Sequence, residues 1–339
     1  MMFHLVQISN RIERRVALVE EPCLYCLDGV NSVYELVADC LRSSQSFYQR
    51  VRELATNTSL AYNEIYGQRS EWRLLPPIDV PGAPEKMLVS GTGLTHLGSA
   101  KDRQSMHLKR ANDPNKPVTD SMRMFEWGVA GGRPAEGTIG IAPEWFYKGS
   151  GTVLRAPFEP LPVPSHAEDG GEEAELAGVY IVGEDGTPVR LGICGGNEFS
   201  DHKFERRNYL NLAGSKLRAC SIGPELVVGA DFGSATGDVR IERAGKTIWS
   251  KAIESGEENM AHSLANIEHH HFKFEGHRIP GHVHIHFFGA YSLSFGEGVE
   301  LQDGDWMQVK FAGYGRPLRN PIAIQNKGTD KIIRAQSIT

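Results

Sequence analysis

No run in this 339-residue chain approaches the ~20 consecutive apolar residues that a membrane-spanning helix requires. Near the start, Arg11, Glu13, Arg14 and Arg15 put charge where the apolar part of a secretory signal would lie, so a cytoplasmic, soluble protein is expected. Neither sign of charge is in excess: 36 Lys and Arg against 42 Asp and Glu give a formal net charge of −6. Such a balance leaves no electrostatic footprint for nucleic acid or an anionic membrane, which excludes both as primary partners. Cysteine is scarce. Five residues, an odd number, fit a reducing compartment rather than a disulfide framework. Cys23 and Cys26 form a lone Cys-x-x-Cys with no second pair to complete a zinc site, and are read as buried thiols. Gly91-Thr92-Gly93 lacks the third glycine of a dinucleotide fingerprint and is read as a close backbone approach. There is no internal repeat.

What the chain does have is ample length for a self-sufficient core and a turn-rich composition, with 37 glycines and 18 prolines among 40% hydrophobic residues. The β-favouring residues of Phe3 to Ile8, Val16 to Val19 and Leu24 to Leu27 predict short strands. Between Val33 and Leu54 the apolar period changes to that of a helix face. Four prolines within Pro76 to Pro84 exclude regular helix there and predict a boundary. The expected organisation is therefore α+β, with a small N-terminal α+β module over 1–78 and a β-rich domain over 79–339. Within the second, Lys86 to Ser90 reads as a strand, Ser99 to Met106 as a helix, and 108 to 170 as loops around short strands, with room for a lid. Ala174 to Val182 and Val189 to Cys194 read as two strands joined at Glu184 to Thr187, Asp201 to Leu212 as a helix, and the last hundred residues mostly as strands.

Two clusters carry chemistry. In the acidic run Glu172-Glu173-Ala174-Glu175, extended backbone points Glu173 and Glu175 to one face, and Glu198 and Lys216 follow downstream. Such oxygen ligands suit Mg²⁺ or Mn²⁺. The same run also fits an acidic, solvated strand edge. Farther on, His282, His284 and His286 alternate with Val283 and Ile285, so that three imidazoles share one strand face, either as a transition-metal site or as the polar face of a half-buried strand. Adjacent residues His269 to His271 cannot all face one metal.

Taken in order, several segments make the chain similar to the fumarylacetoacetate hydrolase family, in particular its sugar-acid branch of GguC-like proteins and 2-keto-3-deoxy-pentonate dehydratases. They are Val89 to His96, Glu173-Ala174-Glu175-Leu176, Asn197-Glu198-Phe199-Ser200, Lys216 with Gly223-Pro224, Leu301 to Asp305, and Gly313 to Pro321. The resemblance spans roughly residues 85 to 325. It implies a mixed β-sandwich or roll with short helices, a homodimer, and Mg²⁺ (or Mn²⁺) held by Glu173, Glu175 and Glu198. It further implies Lys216 at the C3 proton or the enolate, and substrate contacts from Thr95, Ser200, His202, Tyr291 and Ser292.

The departures from the family pattern bear on the reaction. Glu198 replaces an aspartate, and His202 and Glu205 replace an arginine and a glutamine. Ser99 and Asp102 stand where many members carry the histidine and glutamate that activate water. Gly289-Ala290-Tyr291-Ser292 replaces a Gly-Thr loop, and His96 occupies a position often held by tyrosine. Loss of the water-activating pair implies a dehydratase acting on a 2-keto-3-deoxy pentonate through a metal-stabilised enolate, giving α-ketoglutarate semialdehyde. His96 is then the candidate for protonating the leaving hydroxyl. The competing expectations are an acylpyruvase-type hydrolase or decarboxylase, and a non-catalytic metal- or sugar-acid-binding protein working through the His282 to His286 strand.

Overall fold

Apolar alternation at the N-terminus yields three antiparallel strands, β1 (Phe3–Ser9), β2 (Arg14–Glu20) and β3 (Cys23–Leu27), close to their expected bounds. The structure is a computed structural model and describes residues 1–101, 119–328 and 331–338. The single helix expected from Val33 to Leu54 is in fact two, Val33–Ser43 and Phe47–Leu54. Ser44 turns left-handed at φ 53° and ends the first, while the Ser46 hydroxyl accepts from Gln49 N and starts the second. The apolar period continues through the break, which is why spacing alone missed it. Strand β4 (Ala55–Ala61), the helix Tyr62–Tyr66 and β5 (Arg73–Leu74) precede the proline-rich stretch.

Beyond it lie β6 (Met87–Gly93), β7 (Glu144–Ser150), β8 (Leu154–Arg155), β9 (Leu161–Val163), β10 (Ala174–Val182) and β11 (Pro188–Asn197). After these come β12 (Cys220–Ile222), β13 (Leu226–Val228), β14 (Ala235–Arg243), β15 (Lys246–Ser255), β16 (Val283–Phe287), β17 (Trp306–Phe311) and β18 (Leu318–Ile324). Residues 97–101 are helical, and the rest of the expected Ser99 to Met106 helix, with Asp102, lies outside the described residues, as does 108–118 of the expected lid. The remaining loop expectation is corrected by a 12-residue helix, Asp120–Gly131, capped by Thr119 at Met122 N. The helix expected over Asp201 to Leu212 is broken by extended backbone at Asn208 into His202–Arg207, a short 3₁₀ turn and Leu212–Lys216. The helix Leu264–Phe272 carries His269 to His271.

Two sheets result. The larger has 13 strands, ten of them along the path β4-β3-β2-β1-β13-β11-β10-β16-β6-β7 with β5, β8 and β12 off it, and the smaller runs β15-β14-β17-β18-β9. Because β1 pairs with β13, the strands of the first 78 residues continue the sheet that holds β10 and β11. All nine residues of β10 are buried, as fits a strand covered on both faces. One covering layer joins Val179, Val283 and Phe287 to Leu36, Val37 and Val51 of the two N-terminal helices. Another joins Leu176, Ile193 and Phe288 to Val239, Met307 and Val309 of the smaller sheet. The glycines of β6 are close approaches as expected: a side chain at Gly91 would strike the Phe146 ring, and one at Gly93 the Glu144 carboxylate. Cys23 is half-buried, unlike Cys26, and both are free thiols.

The N-terminal strands are also tied to the rest through Glu225. This buried carboxylate accepts from Tyr62 Oη at 2.9 Å and Arg316 N at 3.0 Å and pairs with His4 Nδ1 at 2.7 Å, while the Arg316 guanidinium lies 3.7 Å over the Tyr62 ring. Removing one donor from a buried charged acceptor is costly. Tyr62→Phe is expected to lower the unfolding free energy by about 1.5–3 kcal/mol in urea titration, and a change under ~0.5 kcal/mol would mean that Glu225 is satisfied without that hydroxyl.

Candidate metal centre

Antiparallel pairing brings the start of β10 against the end of β11, with Ala174 opposite Asn197 and Glu175 opposite Gly196. The ladder continues one step past the strands, where Glu198 N donates to Glu173 O at 2.9 Å. Glu173, Glu175 and Glu198 thereby converge, each offering a carboxylate oxygen within 4.8 Å of the others, and among the described residues this is the acidic or histidine cluster that could hold a metal. The Asn197 side chain fixes the corner, its Oδ1 accepting from Glu173 N and Phe199 N, both at 3.2 Å. Phe199 is buried with φ 26°, so the backbone turns sharply directly after Glu198. The solvated-edge alternative is excluded, because the three carboxylates are only 5%, 1% and 0% exposed. Glu172 is buried as well, but its carboxylate accepts from Ser294 N and Ser294 Oγ, each at 2.7 Å, and so anchors the following loop instead of facing the cluster.

Two buried lysines face the triad. Lys216 donates to Glu173, Glu198 and Ser200 Oγ, and its ammonium lies 4.8 Å from the Phe146 ring centre. Lys148, which the sequence reading overlooked, donates to Glu198 and to Phe199 O. It points inward from β7 with Glu144 and Phe146, while Trp145 and Tyr147 face out. Both faces of that strand carry aromatic residues, so alternation could not show which was the inner one; a lysine in an otherwise aromatic strand was the available signal.

With all three carboxylates ionised, the two ammonium groups would leave negative charge uncompensated. Burial, then repulsion from Glu198 and Glu173, pushes Glu175 well above the usual carboxylate range. Burial and Glu173 also push Glu198 up, against the pull of Lys148 and Lys216. Burial acts the same way on Glu173, but there Lys216 and the His202 hydrogen bond outweigh it and hold the group well below its ordinary value. A hard divalent cation fits such a donor set, all oxygen and short of positive charge.

The other expected site residues surround this point. His202 Nε2 lies 3.1 Å from Glu173, with its ring 5.2 Å from that of Phe295. Ser200 Oγ donates toward Glu198 at 3.2 Å. Glu175 accepts from Gly289 N at 2.7 Å, and a side chain at Gly289, where φ is 99°, would strike Thr95 Oγ1. Thr95 Oγ1 donates to Phe288 O at 2.6 Å and lies 2.9 Å from His96 Nδ1, and the His96 ring is 6.2 Å from Tyr291. Ser292 is buried in the loop after β16, beside the half-buried Tyr291. His202 Nδ1 and His96 Nε2 are buried without a hydrogen-bond partner among the described residues. Burial pushes His96 down to about 4 and so favours the uncharged ring over the imidazolium.

The alternating histidines lie elsewhere. His286 pairs with Gly178, three residues from Glu175 along β10, hence on the opposite face of the sheet. Its two nitrogens meet Ser90 Oγ at 3.0 Å and Thr92 Oγ1 at 2.7 Å, and His284 Nδ1 meets His271 Nε2 at 2.9 Å. Burial pushes His284 and His286 down to about 3. His282 precedes the strand and is half-buried. Of the two readings left open for these histidines, the polar strand face is the one the described residues fit, since they do not form a metal-ligand group.

Lys148→Met, which leaves Glu198 without one of its two cations, is expected to destabilise the metal-free protein by about 3–5 kcal/mol in chemical denaturation. Adding Glu198→Gln should restore part of that loss. If the double variant is no more stable than the single one, Lys148 acts by packing and not by charge.

Neither a protein-family model nor a curated protein matches the chain by sequence. Solved structures do match. A 2-keto-3-deoxyarabinonate dehydratase superimposes with TM-score 0.68 at 18% identity, covering 96% of this chain and 100% of its own. A structure of 2-keto-3-deoxy-D-arabinonate dehydratase complexed with magnesium and 2,5-dioxopentanoate gives 0.67 at 18% over the same shares. The fumarylacetoacetate hydrolase of Exiguobacterium antarcticum gives 0.61 at 17%, covering 95% and 100%. Over nearly its whole length, then, the chain has the fold of the fumarylacetoacetate hydrolase and 2-keto-3-deoxyarabinonate dehydratase structures, as its ordered motifs had implied.

Proposed function

We propose that the protein is a Mg²⁺-dependent hydro-lyase that removes water from a 2-keto-3-deoxy pentonate, giving α-ketoglutarate semialdehyde. The observation that carries the reading is the buried triad Glu173, Glu175 and Glu198, matched to two lysines and short of positive charge. Its support from comparison is the shared fold with a dehydratase whose structure holds magnesium and 2,5-dioxopentanoate.

Glu173, Glu175 and Glu198 would hold the Mg²⁺, which when bound would supply a Lewis acid for negative charge developing on a 2-keto oxygen. The chain's own residues supply position and proton transfer. Lys216 moves the C3 proton. In the metal-free site its ammonium hydrogens go to Glu173, Glu198 and Ser200, and an ammonium has no lone pair, so it acts as a base only when those carboxylates are otherwise engaged. Breaking the C3–H bond and the C4–O bond releases water and leaves a C3=C4 double bond conjugated to the ketone; transfer of a proton from C5 to C3 then gives the C4=C5 enol, whose hydroxyl hydrogen moves to C4 as C5 becomes the aldehyde. Thr95, Tyr291 and Ser292 line the approach from the loops after β6 and β16. The partnerless nitrogens His202 Nδ1 and His96 Nε2 are of the kind that a polar substrate satisfies. Glu144 and Lys148 close the β7 side, where the Glu144 carboxylate holds Tyr209 Oη at 2.7 Å.

The test is incubation of purified protein with Mg²⁺ and 2-keto-3-deoxy-pentonates of both C4 configurations, with an aldehyde dehydrogenase reporting the semialdehyde. One epimer should give product. Glu175→Ala should lose more than the ~10- to 100-fold that loss of an outer partner of a metal site costs. No product from either epimer would defeat the dehydratase reading, and full activity in Glu175→Ala would defeat the metal assignment.

A further inference from the structure

We infer that His96 is a neutral hydrogen-bond acceptor that reads a non-leaving hydroxyl of the substrate, the one at C5 of a 2-keto-3-deoxy pentonate. This rests on the dehydratase reading above. The Thr95 hydroxyl has a single hydrogen, and Phe288 O, 2.6 Å away, is a carbonyl that can only accept it. Toward His96 Nδ1, at 2.9 Å, Thr95 Oγ1 is therefore the acceptor, and Nδ1 carries the imidazole hydrogen. Nε2 is left with a lone pair. That atom is buried without a partner among the described residues, on a side chain that is 0% exposed, and burial favours the uncharged ring.

A single peptide group ties this side chain to the carboxylates: Phe288 O accepts from Thr95, the partner of His96, and the amide on the other end of that peptide, Gly289 N, donates to Glu175 at 2.7 Å. A buried acceptor left unmet costs about 1–3 kcal/mol, and the complement must be a donor. In a 2-keto-3-deoxy acid the carboxylate and ketone only accept, leaving the hydroxyls as the donors. The C4 hydroxyl departs, and drawing its hydrogen away would make it a poorer leaving group. The hydroxyl beyond it stays a donor through the loss of water and gives up its hydrogen only at the last step, as C5 becomes the aldehyde. A tyrosine at this position would bring a donor of its own; a histidine fixed in this tautomer selects for a substrate that brings one.

Nitrogen NMR of protein labelled with ¹⁵N-histidine, with the His96 signals identified by their loss in His96→Gln, reads the tautomer without any turnover. Nδ1 should be protonated and Nε2 bare from pH 6 to 8, and a proton on His96 Nε2 in that range overturns the inference. Turnover, followed for both acids as loss of the C4 hydroxyl by proton NMR because the 5-deoxy analogue can form no aldehyde, reads the selection. Wild-type protein should prefer the pentonate over its 5-deoxy analogue by at least ~100-fold in kcat/KM, because a site built around a hydroxyl strongly rejects the analogue that lacks it. In His96→Leu the preference should fall below ~10-fold, with the analogue still turned over. Equal kcat/KM for the two acids in the wild type overturns the assignment of His96 and leaves the dehydratase reading standing. Absence of product from both removes the reading and the inference with it.

Discussion

Three carboxylates and two ammonium groups share one water-poor point at the joined ends of β10 and β11, and the surroundings follow from the need to keep them there. Buried ions lose their hydration and repay it only through exact partners. Each glutamate accordingly has its own: His202 and Lys216 for Glu173, the Gly289 amide for Glu175, and Lys148, Lys216 and Ser200 for Glu198. Even so, two ammonium groups cannot balance all three carboxylates in their ionised form. Such an arrangement is held in place by the most rigid element available, a fully buried strand paired on both sides.

The sheet also keeps two chemistries apart. Along β10, odd and even residues face different layers, so the carboxylates look one way and the imidazoles of β16 the other. The histidines spend their nitrogens on one another and on Ser90 and Thr92, and that network stiffens the back of the same strands from which Glu175 projects. The sequence pattern that suggested a second metal site is better explained as a polar layer whose bonds are made mostly internally, His284 Nε2 alone of the nitrogens of His284 and His286 being without a partner among the described residues.

How much of this was legible depended on the length scale. The strands of the acid-bearing hairpin were readable because Glu184 to Thr187 is a plain turn between two apolar runs. The three metal-facing glutamates and Lys216 were placed by motif order, since nothing in Glu-x-Glu by itself separates a buried cluster from a solvated edge. Lys148 was not seen because β7 has aromatic residues on both faces, and the role of Glu172 was hidden because its partner, Ser294, lies 122 residues away. The helix break at Ser44 and the helix Asp120–Gly131 were missed for opposite reasons: an apolar period that runs on across a left-handed residue, and a capped helix embedded in a stretch rich in glycine and proline. The protonation of His96 could not be read from sequence at all, because it is decided by where the hydroxyl of its neighbour points.

The pairing of β1 with β13 has one more consequence. The proline-rich stretch looks like a place to cut, yet a chain beginning after Pro77 would lack β1 beside β13, and the strand one step from β11 would carry a row of bare amides and carbonyls. Such an edge invites pairing with another molecule. The first 78 residues thus behave less like a detachable accessory than like the selvedge of a woven cloth, finishing the border so that the fabric holding the carboxylates does not fray or catch on its neighbours.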